Sequence, residues 1–92
     1  MATSTIKDSS VHTKVISKTI TIGADGRNTE TISMGLPSGA QVIGLFIRNG
    51  FNLDWIRTNL RQDGSNVIAY MHNEYGGSLS GTLSVVVAYT LD

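Results

Sequence analysis

Residues 81–92, "GTLSVVVAYTLD", decide how this chain is read. Side chains alternate across a strand with a period of two. One face of this stretch therefore carries Leu83, Val85, Val87, Tyr89 and Leu91, while the other carries Val86 and Ala88 between Ser84 and Thr90. A strand with one side in the core of a small antiparallel domain is normally polar on the other. Here the second side is apolar as well, and something has to cover it.

The same double character recurs upstream. In "QVIGLFIR" (41–48), Val42 and Phe46 alternate with Ile43, Leu45 and Ile47, and Gly44 marks a bulge or a close backbone approach. This pattern reads as a central strand. "NVIAYMH" (66–72) sets Val67, Ala69 and Met71 against Ile68 and Tyr70. "VISKTITIG" (15–23) is rich in β-branched residues and places Ile16, Ile20 and Ile22 on one face. Asp25-Gly26 suits a tight turn, and the return of the chain as "TETIS" (29–33) predicts a hairpin. Pro37 and Gly39 punctuate "GLPSGAQ" (35–41), and Asn49-Gly50 and Asp63-Gly64 are further turn pairs. "FNLDWIRTNL" (51–60) reads two ways: Phe51, Trp55, Ile56 and Leu60 fall at helical spacing, but the flanking turns favour a strand. "NEYGGSLSG" (73–81) is a glycine-rich loop before a closing strand from about residue 82 to 91.

No window combines helical periodicity with caps, and strands recur at intervals of roughly 8 to 14 residues. The expected fold is all-β: a small antiparallel β-sandwich, jelly-roll-like, of about six to seven strands. It spans residues 15–92, and the polar stretch "MATSTIKDSSVHTK" (1–14) reads as an N-terminal arm or linker.

Ninety-two residues make one domain, which on its own buries only about 60–65% of its unfolded surface and is marginally stable. There is no cysteine, so no disulfide can staple it, and association between copies is the remaining device. Burying a second apolar face on two or three strands, at about 25 cal/mol per Å², contributes several kcal/mol, comparable with the stability of a whole small domain. An oligomer is therefore expected, with Val42, Phe46, Val86 and Ala88 at its interface.

Seven Lys and Arg balance seven Asp and Glu, without a basic run, which argues against nucleic acid as partner. Charged residues are 15% of the chain, below the roughly 25% of an ordinary soluble domain; ten serines and ten threonines supply polarity instead. The apolar runs fall far short of the roughly 20 residues of a membrane helix, and "MATSTIKDSS" lacks the apolar core of a signal peptide.

Catalysis needs a constellation, and Glu30, Asp54, Asp63 and Glu74 are scattered, with Asp25 and Asp63 already serving turns. No nucleophile elbow, phosphate loop, zinc spacing or calcium loop is present, so no enzyme, cofactor or metal is expected. His12 and His72 could share a metal across subunits, against the simpler reading of surface histidines. Trp55 is the single tryptophan and stands among Asn52, Asp54 and Arg57. Such a mixture suits saccharide recognition, in which a ring stacks on sugar C–H groups and planar polar groups bond hydroxyls; a core or interface tryptophan is the competing reading. His72, Asn73 and Tyr75 complete the candidate glycan contacts.

The order of these pieces resembles a known family. "ISKTITIGADGRNTETISMGLPSGAQVIGLFI", then "DGSNVIAYMHN", then "LSGTLSVVVAYTLD" is similar to the small C-terminal β-domains of bacteriophage tail-fibre, baseplate and receptor-binding proteins. The resemblance covers residues 15–92. It implies a homotrimeric head at the tip of a virion appendage, joined to other virion proteins through its N-terminal side and binding host cell-surface glycan. The surplus face of the last strand would then meet its symmetry mates. A complete fibre has a long shaft before its head, whereas fourteen polar residues precede this one, so an excised head or a stand-alone virion protein is expected. A trimerisation cap, head fibre or capsid decoration protein without a ligand, and a free-standing oligomeric lectin, are the alternative functions.

Overall fold

The computed structural model describes residues 10–48 and 55–91. Among them the chain forms β1 (His12–Ile22), β2 (Arg27–Ser33), β3 (Ala40–Arg48), β4 (Ile56–Asp63), β5 (Asn66–Asn73) and β6 (Leu79–Leu91), with no helix. The strands make two three-stranded antiparallel sheets. The first has the order β1-β6-β3 and the second β2-β5-β4.

The inner faces follow from the period-two pattern. Ile16, Ile20 and Ile22 of β1 and Leu83, Val85 and Val87 of β6 meet Ile32 of β2, Ile56 of β4, and Val67, Ala69 and Met71 of β5 in one buried cluster. The two central strands supply its most deeply buried members: Leu83, Val85, Val87, Val67 and Ala69 are all 0% exposed. Met34, just past β2, closes one end of the cluster, and its amide donates to the Ser65 carbonyl at 3.0 Å.

The expected β1–β2 hairpin is not formed. Asp25 does adopt the positive φ of a tight turn (54°), and the Gly26 amide donates to the Gly23 carbonyl at 2.9 Å. The turn, however, carries the chain from the first sheet to the second rather than back along the same sheet. β1 instead pairs along its whole length with β6, eleven of whose thirteen residues, Leu79–Tyr89, stand opposite it. The hairpin that does form joins β4 to β5 through Gly64 and Ser65, with Gly64 (φ 59°) at the first loop position, where two-residue loops favour glycine.

Three other expectations shift. β1 begins at His12, inside the segment read as an arm, and β6 begins at Leu79, inside the loop that glycines implied. β3 is an edge strand, not a central one. Finally, the register breaks between Val42 and Gly44, a bulge at the glycine the sequence singled out. The extra residue reverses the alternation: Val42, Leu45 and Ile47 all pack against the core, while Ile43 and Phe46 are 57% and 58% exposed. Val42 is therefore not an outward-facing residue as expected. Phe46 folds back over Gly44, where a Cβ would lie 2.8 Å from the ring, so a side chain at this position would push the exposed ring aside.

The outer face of the first sheet is divided along its length. At one end it is polar and cross-linked, with hydroxyl contacts Ser17–Ser84 at 3.0 Å and Thr21–Ser80 at 2.8 Å. At the other end Val15, Val86 and Phe46 lie abreast, followed by Thr13, Ala88 and Gly44. Val15 is 44% exposed and Val86 half-buried, whereas the shorter Ala88 is buried although it faces outward. The question raised by "VVVAYTL" thus has half an answer within one chain: Ala88 is covered, while Val15, Ile43 and Phe46 are not.

The edge between β1 and β2 is closed by charge. Lys14 and Lys18 stand at inward-facing positions of β1, where an edge strand allows long side chains to reach out and across. The Lys14 ammonium donates to the Gly35 carbonyl at 2.9 Å, and Lys18 pairs with Glu30 of β2 at 2.8 Å. The Lys18 hydrogen bond, then that from Asn28, holds the Glu30 carboxyl below its ordinary value of 4.5, against a partial burial that raises it. A lowered folded-state pKa stabilises the protein above the unfolded value, and that contribution disappears as pH falls through the folded one. Glu30→Gln is expected to cost about 1 kcal/mol or less at neutral pH, because the pair is partly exposed. It should also lose less stability than the parent between about pH 6 and pH 2 in urea melts.

Candidate functional site

The second sheet turns a very different face to solvent. Along β5 the outward residues are Ile68, Tyr70 and His72, opposed on β2 by Thr31, Thr29 and Arg27, and on β4 by Arg61, Asn59 and Arg57. Every row but one thus has a polar or charged residue on both flanks and an aromatic or imidazole ring at its centre. Arg27, Thr29, Arg57, Asn59, Tyr70 and His72 surround a hollow of about 290 Å³. The Arg61 guanidinium lies 5.8 Å from the centre of the Tyr70 ring, within the range of a cation–π contact.

Beside this hollow the chain brings together most of the described residues that the sequence proposed for saccharide contact. The Glu74 amide donates to the Trp55 carbonyl at 2.9 Å, extending the β4–β5 pairing by one step and setting Trp55 next to the end of β5. Trp55 and Tyr75 then pack ring against ring, 5.0 Å between centroids and tilted by 55°. Both remain open, at 47% and 42% exposure, so this tryptophan is not a core residue. Arg57 Nε donates to Glu74 Oε2 at 2.8 Å, and His72 Nδ1 lies 3.9 Å from the same oxygen. Trp55, Arg57, His72 and Tyr75 are therefore neighbours through Glu74, while Asn52 and Asp54 lie outside the described residues.

Asn73 is the exception. It is 0% exposed and cannot touch a ligand. Its side-chain amide nitrogen contacts three carbonyls, those of Ile22, Gly23 and Gly77, at 3.0–3.1 Å, and its oxygen accepts the Tyr75 amide at 2.8 Å. Its own backbone amide donates to the Gly26 carbonyl at 2.9 Å. One side chain thus ties the β1–β2 turn to the β5–β6 loop and supplies partners to backbone groups that burial would otherwise leave unpaired. The alternation of "NVIAYMHN" places Asn73 in line with Val67, Ala69 and Met71, so its inward direction was readable; the polar side chain obscured it.

The histidines stand apart. His12 stacks on its cross-strand partner Tyr89 in the first sheet (5.5 Å, 26°), and His72 belongs to the outer face of the second. Among the described residues no three His, Asp or Glu groups gather as metal ligands would. Sequence reasoning missed Arg27, Asn59 and Tyr70, which lie on three different strands and meet only through pairing register; Arg57 and His72 alone gave a signal. Comparison with known protein families, with curated proteins and with solved structures finds no match for this chain.

The Asn73 network makes a measurable demand. Asn73→Leu takes the side-chain partner from the Tyr75 amide and the Gly77 carbonyl, each worth about 1–3 kcal/mol, while the Gly23 and Ile22 carbonyls keep the Gly26 amide and the Ser78 hydroxyl. A loss of about 3 kcal/mol is expected, seen as a fall in thermal midpoint of more than about 10 °C.

Proposed function

We propose that the chain is the oligomeric head of a bacteriophage tail-fibre or baseplate appendage, a trimer that binds host cell-surface glycan. The observation that carries this reading is the contrast between the two outer faces. One presents Val15, Ile43 and Phe46 to solvent on a strand already apolar within; the other presents an aromatic and polar hollow. Exposed apolar clusters of this kind mark association surfaces, and concave polar–aromatic ones mark ligand sites. The apolar face packs against copies of the chain around a threefold axis, the second sheet faces outward, and the N-terminal arm joins the head to other virion proteins.

A further feature supports association at β3. Phe46 also lines a cleft of about 440 Å³ between the edges of β3 and β4, together with Leu45, Ile47, Thr58 and Leu60. Among the described residues this seam has no ion pair such as closes the β1–β2 side, and the Thr58 hydroxyl is buried in it without a hydrogen-bond partner there. A neighbouring copy seated on Phe46 covers the cleft and can satisfy that hydroxyl.

A purely structural cap is the second reading. It is favoured by the fact that Arg57 already has Glu74 and Trp55 already has Tyr75, so both have work within the chain. Two measurements separate the readings. The thermal midpoint should rise with protein concentration, as it does when only the assembled form is folded, and Phe46→Asp should lower it and remove that dependence. Binding to host envelope polysaccharide on a glycan array should weaken about tenfold or more in Trp55→Ala. A concentration-dependent midpoint with no saccharide bound by the parent protein leaves the cap.

A further inference from the structure

We infer that the hollow on the second sheet takes the acidic group of a charged saccharide, with Arg27 as the residue that selects it; this rests on the glycan-binding reading above and names its ligand class.

The argument begins with pairing. His72 stands directly opposite Arg27 on one side and Arg57 on the other, so three basic side chains lie abreast across the sheet. The two guanidinium side chains stand on strands about 4.7–4.9 Å to either side of β5, so positive charge is concentrated along this one row. A compensating anion is expected within the row, but among the described residues the carboxylate beside it is Glu74, which is committed to Arg57 at 2.8 Å while lying 3.9 Å from His72. On the far side of the row the Arg27 guanidinium makes no ion pair or hydrogen bond among the described residues, and it is exposed at the rim of the hollow. The chain is neutral overall, so this is a local surplus and not a general basic character.

The next row defines what accompanies the anion. Thr29, Tyr70 and Asn59 stand abreast one step along the strands: a hydroxyl, an exposed aromatic ring and an amide. A sugar ring presents C–H groups to an aromatic surface and hydroxyls to amides, while a carboxylate or phosphate substituent is matched by the fork of a guanidinium. The two rows together fit one acidic residue of a polysaccharide. They do not fit a nucleic acid, whose regularly spaced phosphates require a basic stripe longer than one row.

The test uses the whole chain on three immobilised polymers: a polysialic acid bearing carboxylates, a glycerol-phosphate polymer bearing phosphodiesters, and neutral dextran. The parent protein should be retained by at least one acidic polymer and not by dextran, and the preferred arm identifies the acid. Arg27→Gln should weaken that binding about tenfold, the loss of one charge-assisted contact, and Arg27→Lys should recover only part of it. Because Arg27 is exposed, both variants should melt with the parent. Retention by dextran equal to that by the acidic polymers, or an Arg27→Gln protein that binds as tightly as the parent, overturns the inference and leaves glycan attachment standing. Retention by none of these polymers, nor by any saccharide on the array, removes the attachment reading and this inference with it.

Discussion

Everything in this molecule follows from the pairing of β6 with both β1 and β3. A strand of thirteen residues at the centre of one sheet buries Leu83, Val85 and Val87 completely on its inner side. β1 and β3 flank it, and after residue 22 the chain crosses to a second sheet instead of pairing with the outer edge of β1. The crossing places the Asp25-Gly26 turn beside the end of β5, and there Asn73 locks it with bonds to carbonyls more than four dozen residues away in sequence. That lock in turn fixes the start of the β5–β6 loop, from which Glu74 and Tyr75 meet Trp55 and Arg57. The outer face of the second sheet is thus organised by a core constraint on the opposite sheet.

The two sheets share one core yet differ outside it, and the difference has a simple physical source. Each three-stranded sheet has one inner face to bury, and twelve buried apolar residues with seven partly buried ones packed against them fill the space between the sheets. Apolar side chains beyond that number have to face out. In the second sheet the outward surplus is small, Ile68 and Tyr70, and polar flanking strands dilute it. In the first sheet the bulge at Gly44 adds to it by turning Phe46 out, next to Val86 and Val15. A one-residue insertion in an edge strand thereby converts a mildly apolar row into the most exposed hydrophobic surface among the described residues.

Much of this was legible in the sequence, for reasons that differ residue by residue. The alternation of "GTLSVVVAYTLD" put Leu83, Val85, Val87 and Tyr89 on the inner face and Val86 and Ala88 on the outer one, as they stand in β6, because a long strand paired on both edges keeps a regular alternation. Two of the turn pairs within the described residues were also found, since positive φ leaves few residue choices. The partner of each strand was not legible: a tight turn specifies a reversal of direction but not whether the chain returns in the same sheet. Gly44 signals a bulge or a close backbone approach but not the change of parity that a bulge brings, so strict alternation puts Val42 outside when it lies within. At the candidate site, Trp55, Arg57, His72 and Tyr75 were accessible because they cluster near one loop, whereas Arg27 and Tyr70 join them only through register. Asn73 shows the converse, a polar residue near the site whose role is to hold the backbone that carries it.

The central claim is that one copy of this chain leaves apolar strand surface that only other copies cover. Sedimentation equilibrium of the unaltered 9.8 kDa chain, followed across micromolar concentrations, examines that claim without any variant. A single species at a multiple of the chain mass, threefold for a virion head, is the predicted result. A species that stays at the mass of one chain throughout would contradict it, and would mean that Phe46, Val15 and Ile43 are tolerated in water.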